Sequence, residues 1–79
     1  MSYPIQTEME TWLGSQGWYR ATNTKMVLYV NRERFPGHSF RIGRKGKWDH
    51  MAMAFSLGYG SGLDSLKDHM ERFQNGQLI

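Results

Sequence analysis

Cysteine is absent from this 79-residue chain, which rules out a disulfide framework and a Cys-based zinc site together. Proline occurs only at Pro4 and Pro36, and no Pro-rich or other linker interrupts the sequence. Long apolar runs are missing too. The longest largely apolar stretch, Met51 to Leu57, is far short of the ~20 residues a membrane-spanning helix needs. Met1-Ser2-Tyr3-Pro4 carries neither the basic region nor the apolar run of a signal peptide. Acid is scarce in one place in particular. Residues 20–48 hold eight of the ten basic side chains (Arg20, Lys25, Arg32, Arg34, Arg41, Arg44, Lys45, Lys47) against the single acid Glu33, whereas both flanks carry net negative charge. These absences lead us to expect a single cytoplasmic domain with no membrane association, whose central segment attracts a polyanion or an acidic protein surface.

What the chain does have is aromatic and thioether mass: three Trp, four Tyr, four Phe and six Met. Each aromatic ring can bury roughly 150–250 Å², so a few suffice for a core of this size. Stability must come from packing, because nothing else is available to staple so short a chain.

Periodicity predicts a first helix over residues 4–16. Ile5, Met9, Trp12 and Leu13 form one stripe, Pro4 suits the first turn, and Gly17 suits a left-handed C-terminal cap. Trp18 to Thr22 is rich in strand formers, and Asn23-Thr24 is turn-like. Lys25 to Arg32 is the clearest strand, apolar on both alternations around Val27–Val30. Arg34-Phe35-Pro36-Gly37 reads as a turn. His38 to Ile42 then alternates, with His38, Phe40 and Ile42 on one face and Ser39 and Arg41 on the other. Gly43 to Lys47 is the tip of a basic hairpin. Trp48 to Leu57 fits a strand by the alternation of Met51, Met53 and Phe55. It also fits a short helix capped by Asp49, with Met51, Ala54 and Phe55 on one face. The strand is preferred, because the hairpin needs a second arm and isolated two-stranded pieces are weak. Gly58 to Gly62 reads as a loop. Ser61 and Asp64 form a capping-box pattern ahead of a second helix bearing Leu66, Met70 and Phe73 with Leu63, ended by Asn75-Gly76. The expected fold is α+β in the order α-β-β-β-(β)-α: one domain, an antiparallel sheet of three to four strands, two helices on one face.

Arg32, Arg34, Arg41, Arg44, Lys45 and Lys47, with Trp48 and Tyr29 nearby, make the candidate binding site. Guanidinium and ammonium groups spread along a ribbon bind phosphates, and aromatic faces stack on unpaired bases. The bland counterpart is that these charges solubilise a sheet face and guard its edge. His38, His50 and His69 match no metal spacing, and Asp49-His50 and Asp68-His69 are neighbours whose side chains diverge. His38 is expected to pack beside Phe40 and Ile42. Gly58-Tyr59-Gly60-Ser61-Gly62 and Gly43 to Lys47 lack dinucleotide and P-loop spacing, so they are read as turns. The Met residues, Met51 and Met53 with Met9, Met26 and Met70, suit adaptable core filling better than a docking surface.

Leu13 followed by Gly17-Trp18, a run of strands and a closing helix is similar in order to double-stranded-RNA-binding domains and to the small HicA-type RNA-cleaving toxins. The likeness spans most of the chain as topology and only these residues as sequence. Such toxins carry their active histidine in a Gly-Ser/Thr-His turn soon after the first strand. Thr22-Asn23-Thr24-Lys25 stands there instead, and Gly37-His38-Ser39 comes too late. That departure argues against toxin-like catalysis, and no family is assigned. With no catalytic, cofactor or metal motif, the expected function is a non-catalytic binding module for nucleic-acid phosphates. The alternative is a small regulator or inhibitor, of the kind phages and mobile elements encode, that binds one host protein or nucleoprotein complex stoichiometrically.

Overall fold

The structure, a computed structural model, describes residues 3–22 and 27–76. The elements are α1 (Pro4–Ser15), β1 (Tyr19–Thr22), β2 (Val27–Asn31), β3 (Phe35–Ile42), β4 (Lys47–Ala52), β5 (Phe55–Ser61) and α2 (Leu63–Gln74). The strands form one antiparallel meander in the order β1-β2-β3-β4-β5. The architecture is therefore the expected α+β domain, with five strands in place of three to four. The anticipated Asn23-Thr24 turn, together with Lys25 and Met26, lies outside the described residues.

Helix α1 begins with Pro4 in its first turn and ends in a Schellman motif. Trp18 N–H donates to the Leu13 carbonyl (3.0 Å), Gly17 N–H to that of Gly14 (3.1 Å), and Gly17 takes φ +93°. A side chain is disfavoured at that φ, so glycine closes the helix and delivers Trp18 straight into the core. The buried stripe of α1 is Gln6, Met9 and Leu13, with Ile5 at its margin. Gln6 belongs there because its Nε2 donates to the Ile42 carbonyl at the end of β3 (3.0 Å), which satisfies both groups.

Register explains which sheet face the helices cover. Phe40 pairs with His50 and Ile42 with Trp48, so these four share a face. They join Met9 and Leu13 of α1, Leu66 and Met70 of α2, and Trp18, Val27 and Tyr29 in one core. Trp12, Leu63, Phe35 and Phe73 pack around it. Tyr29 Oη donates to Glu10 Oε1 (2.9 Å), tying β2 to α1; burial and that carboxylate push its pKa up to about 12.

Three local expectations are corrected. Phe35-Pro36-Gly37 opens β3, and the turn sits one step earlier, where Asn31 Oδ1 accepts from Arg34 N–H (3.3 Å). Residues 48–57 are neither one strand nor a helix: Met53 takes φ +58° at a tight turn between β4 and β5 and donates its N–H to the Gly37 carbonyl (2.9 Å). Gly58 to Ser61 lies within β5 and is no loop, and Gly62 caps α2 without any bond from Ser61.

The glycines of β5 have a packing reason. Gly58 pairs with His50 and Gly60 with Trp48, so both face α2. A Cβ on Gly58 would lie 2.5 Å from His69 Cε1, and one on Gly60 would meet Ser65 Oγ and lie 2.8 Å from Trp48 Cζ2. Glycine is poor in strands, yet here it lets the helix approach. Gly58→Ala is therefore expected to destabilise the fold by ~1–3 kcal/mol, as overpacking does, despite alanine's better backbone propensity. A thermal melt checks it: Ser56→Ala, on the opposite face, should leave Tm unchanged, and an unchanged Tm for Gly58→Ala would refute the close approach.

Candidate binding surface and a buried histidine chain

Strand β3 divides the anticipated basic site into parts. Arg32 and Arg34 are exposed in the β2–β3 turn, and Arg44 and Lys45 are exposed in the β3–β4 turn. The eight residues of β3 separate the two turns by roughly 24 Å at strand rise. Arg41 lies between, on the face away from the helices. Its Nε donates to Asp49 Oδ1 (2.8 Å) and its Nη2 to Oδ2 (2.5 Å), a bidentate pair across β3 and β4. The guanidinium's pKa is raised by those hydrogen bonds and by the carboxylate's charge.

Lys47 opens β4 on this free face, next to the turn that carries Arg44 and Lys45. Among the described residues these three cations have no carboxylate partner. Arg44 stacks its guanidinium over Tyr3, 5.3 Å from the ring centre. Arg34 does the same over Phe35 at 5.2 Å. The anticipated cationic ribbon is thus two clusters with a neutralised pair between them.

Trp48 is withdrawn from the site. It is 4% exposed, on the core face against Phe40 and His69, and cannot stack on a ligand. Lys47 and Asp49 face out, and strand alternation forces Trp48 in. Tyr29 is likewise buried. Among the described residues, the aromatic side chains that do face solvent are ones the charge pattern does not single out: Tyr59 at 83% and Tyr19, both on the free sheet face, Tyr3 ahead of α1, and Phe55 at 73% at the start of β5, close to the exposed Met53 of the β4–β5 turn. Tyr59 is legible in the sequence only if Gly58 and Gly60 are read as the inward positions of a strand.

The three histidines, for which no sequence spacing predicts convergence, meet in a line that runs from the half-buried His38 to the buried His50 and His69. His38 Nδ1 lies 2.9 Å from His50 Nε2, and His50 Nδ1 lies 2.8 Å from His69 Nε2. His50 pairs with Phe40 in the sheet and stacks on its ring (4.3 Å between centres), while Phe73 closes over His50 and His38. Each hydrogen bond needs one N–H and one lone pair, so neutral rings satisfy the chain with their protons all running one way. Burial lowers all three pKa values. For His50 the next causes are His69 and His38, and its pKa falls to about 3. His50 has both nitrogens occupied, so the chain acts as a polar seam joining β3, β4 and α2. Among the described residues no group of His, Asp or Glu is arranged to hold a metal ion, and no helix is long and apolar enough to cross a membrane.

No protein-family model, curated protein or solved structure matches the chain.

Linkage sets the pH response. Above about pH 6.5 His50 is neutral both folded and unfolded, so stability is fully present. Below it the unfolded chain takes up a proton that the folded His50 refuses until about pH 3. Stability therefore falls by up to ~1.4 kcal/mol per pH unit in that window. In an NMR titration, the His50 ring resonances should stay flat between about pH 8 and pH 4. A midpoint near 6.5 would contradict the buried chain.

Proposed function

We propose that this protein is a non-catalytic module that binds nucleic-acid phosphates through the β3–β4 turn and the adjoining free sheet face. One observation carries the reading. Arg44, Lys45 and Lys47 are exposed together at one end of the sheet with no carboxylate partner among the described residues. Cations without a carboxylate partner are open to anions, and phosphate contacts gain by releasing the counterions of the nucleic acid. Arg41, held rigid by Asp49, extends the donors onto the sheet. The non-catalytic part of the reading is supported by His50, whose two ring nitrogens are both taken up by His38 and His69, because a general base needs a nitrogen free to reach substrate.

A second reading rests on the opposite end of the sheet. There Met53 and Phe55 are exposed beside Arg32 and Arg34, and Met53 is held at φ +58°. Apolar anchors flanked by cations suit an acidic protein surface, as a stoichiometric regulator or inhibitor would use.

Salt dependence separates the two ends. For nucleic acid, log affinity should fall linearly with log salt. If Arg44 and Lys45 each neutralise one phosphate, Arg44→Ala and Lys45→Ala should each reduce the slope by about 0.7–0.9, whereas Arg32→Ala and Arg34→Ala should leave it unchanged. No retention of RNA or DNA at low salt, or a slope that responds only to Arg32 and Arg34, would overturn the assignment of this end.

A further inference from the structure

The face of the sheet turned away from the helices is built in rows. Leu28, Arg41, Asp49 and Tyr59 form one, and Val30, Ser39, Met51 and Ser56 the next; Lys47 pairs with Ser61 at the end nearest the cationic turn. Tyr59 stands out among them. The glycines on either side of it point at α2, so its ring points into solvent, 83% exposed. It makes no hydrogen bond, ion pair or ring contact with any described residue. At that exposure the ring adds little to the core, and smaller or charged residues would suit an exposed β5 edge better.

Its neighbours give the ring a use. Lys47 is its diagonal neighbour across β4 and β5, which places the two roughly 7–8 Å apart. Arg44 and Lys45 lie in the adjoining turn. Asp49 lies directly beside Tyr59, with its charge already met by Arg41, so the pair adds little net field while offering an acceptor and donors at the ring's edge. A flat aromatic face with cations on one side fits a nucleobase and its phosphates. A base can reach that ring only when it is unpaired, because in a duplex both of its faces are already stacked.

We propose that the free sheet face binds single-stranded nucleic acid, with a base stacked on Tyr59 and neighbouring phosphates held by Lys47, Lys45 and Arg44. This rests on the phosphate-binding reading of the same end and adds the strand class and the residue that selects it.

The test is fluorescence anisotropy at low salt with a labelled ~12-nucleotide RNA, the DNA of the same sequence, and the duplex of each. The single strands should bind at least ~10-fold more tightly than the duplexes, and comparison of the RNA with the DNA separates the two sources. Tyr59→Ala should weaken single-strand binding about 5- to 100-fold while leaving the salt slope and the Tm unchanged. Tyr59→Phe should stay within about 2-fold of wild type. Duplexes bound as tightly as single strands, or Tyr59→Ala binding like wild type, would overturn this proposal while the phosphate reading stands. Absence of binding to every probe would remove both.

Discussion

Helix α2 lies against β4 and β5 because two glycines leave room for it, and much of the molecule depends on that approach. With no Cβ at Gly58 or Gly60, His69 and Ser65 come down onto the sheet beside Trp48. The approach brings His69 within hydrogen-bond reach of His50, which completes the chain from His38. It also settles where Tyr59 goes: flanked by two inward positions, it must face outward. One packing constraint thus shapes both the polar seam of the core and the exposed ring of the free face.

The seam puts polar rings where hydrocarbon alone could fill the space. Unpaired, the buried imidazoles of His50 and His69 would each cost a desolvation penalty, and the half-buried His38 part of one. Paired in series and stacked among Phe40, Phe73 and Trp48, they behave as flat core rings with directional bonds. Those bonds hold α2 at a defined position over β4, which apolar contacts alone would fix less sharply.

Much of this was legible in the sequence, and the failures have physical causes. Met9 and Leu13 of α1, the Gly17 cap, the alternation of His38, Phe40 and Ile42, and the apolar face of α2 followed from period and capping chemistry, whereas Ile5 is exposed and Gln6 takes the buried place because it bonds to the Ile42 carbonyl. Fold class and the helix-covered sheet followed from those. Gly58-Tyr59-Gly60 misled because glycine in a strand is recognised only once its neighbour across the layer is known. Met53 hid the β4–β5 turn because a left-handed turn is expected at Gly, Asn or Asp. Capping-box spacing at Ser61 was outweighed by β5 extending through that residue. For the site, charge counting located the cations but not their separation, since a strand of eight residues carries Arg34 and Arg44 to opposite ends. Trp48 entered the candidate site by proximity in sequence, and alternation removed it. Convergence of the histidines is a product of strand register and helix placement, which pairwise spacing does not encode.

The helix-covered face of the sheet carries the core, and the free face with its cationic end is the one we propose for binding. An amide-resolved NMR titration with a short single-stranded RNA tests that division most directly. Shifts should be confined to residues 43–49 and 58–61, with Arg41, and none should appear along α1 or α2. Shifts centred on Arg32, Arg34, Met53 and Phe55, or spread over the helices, would contradict it.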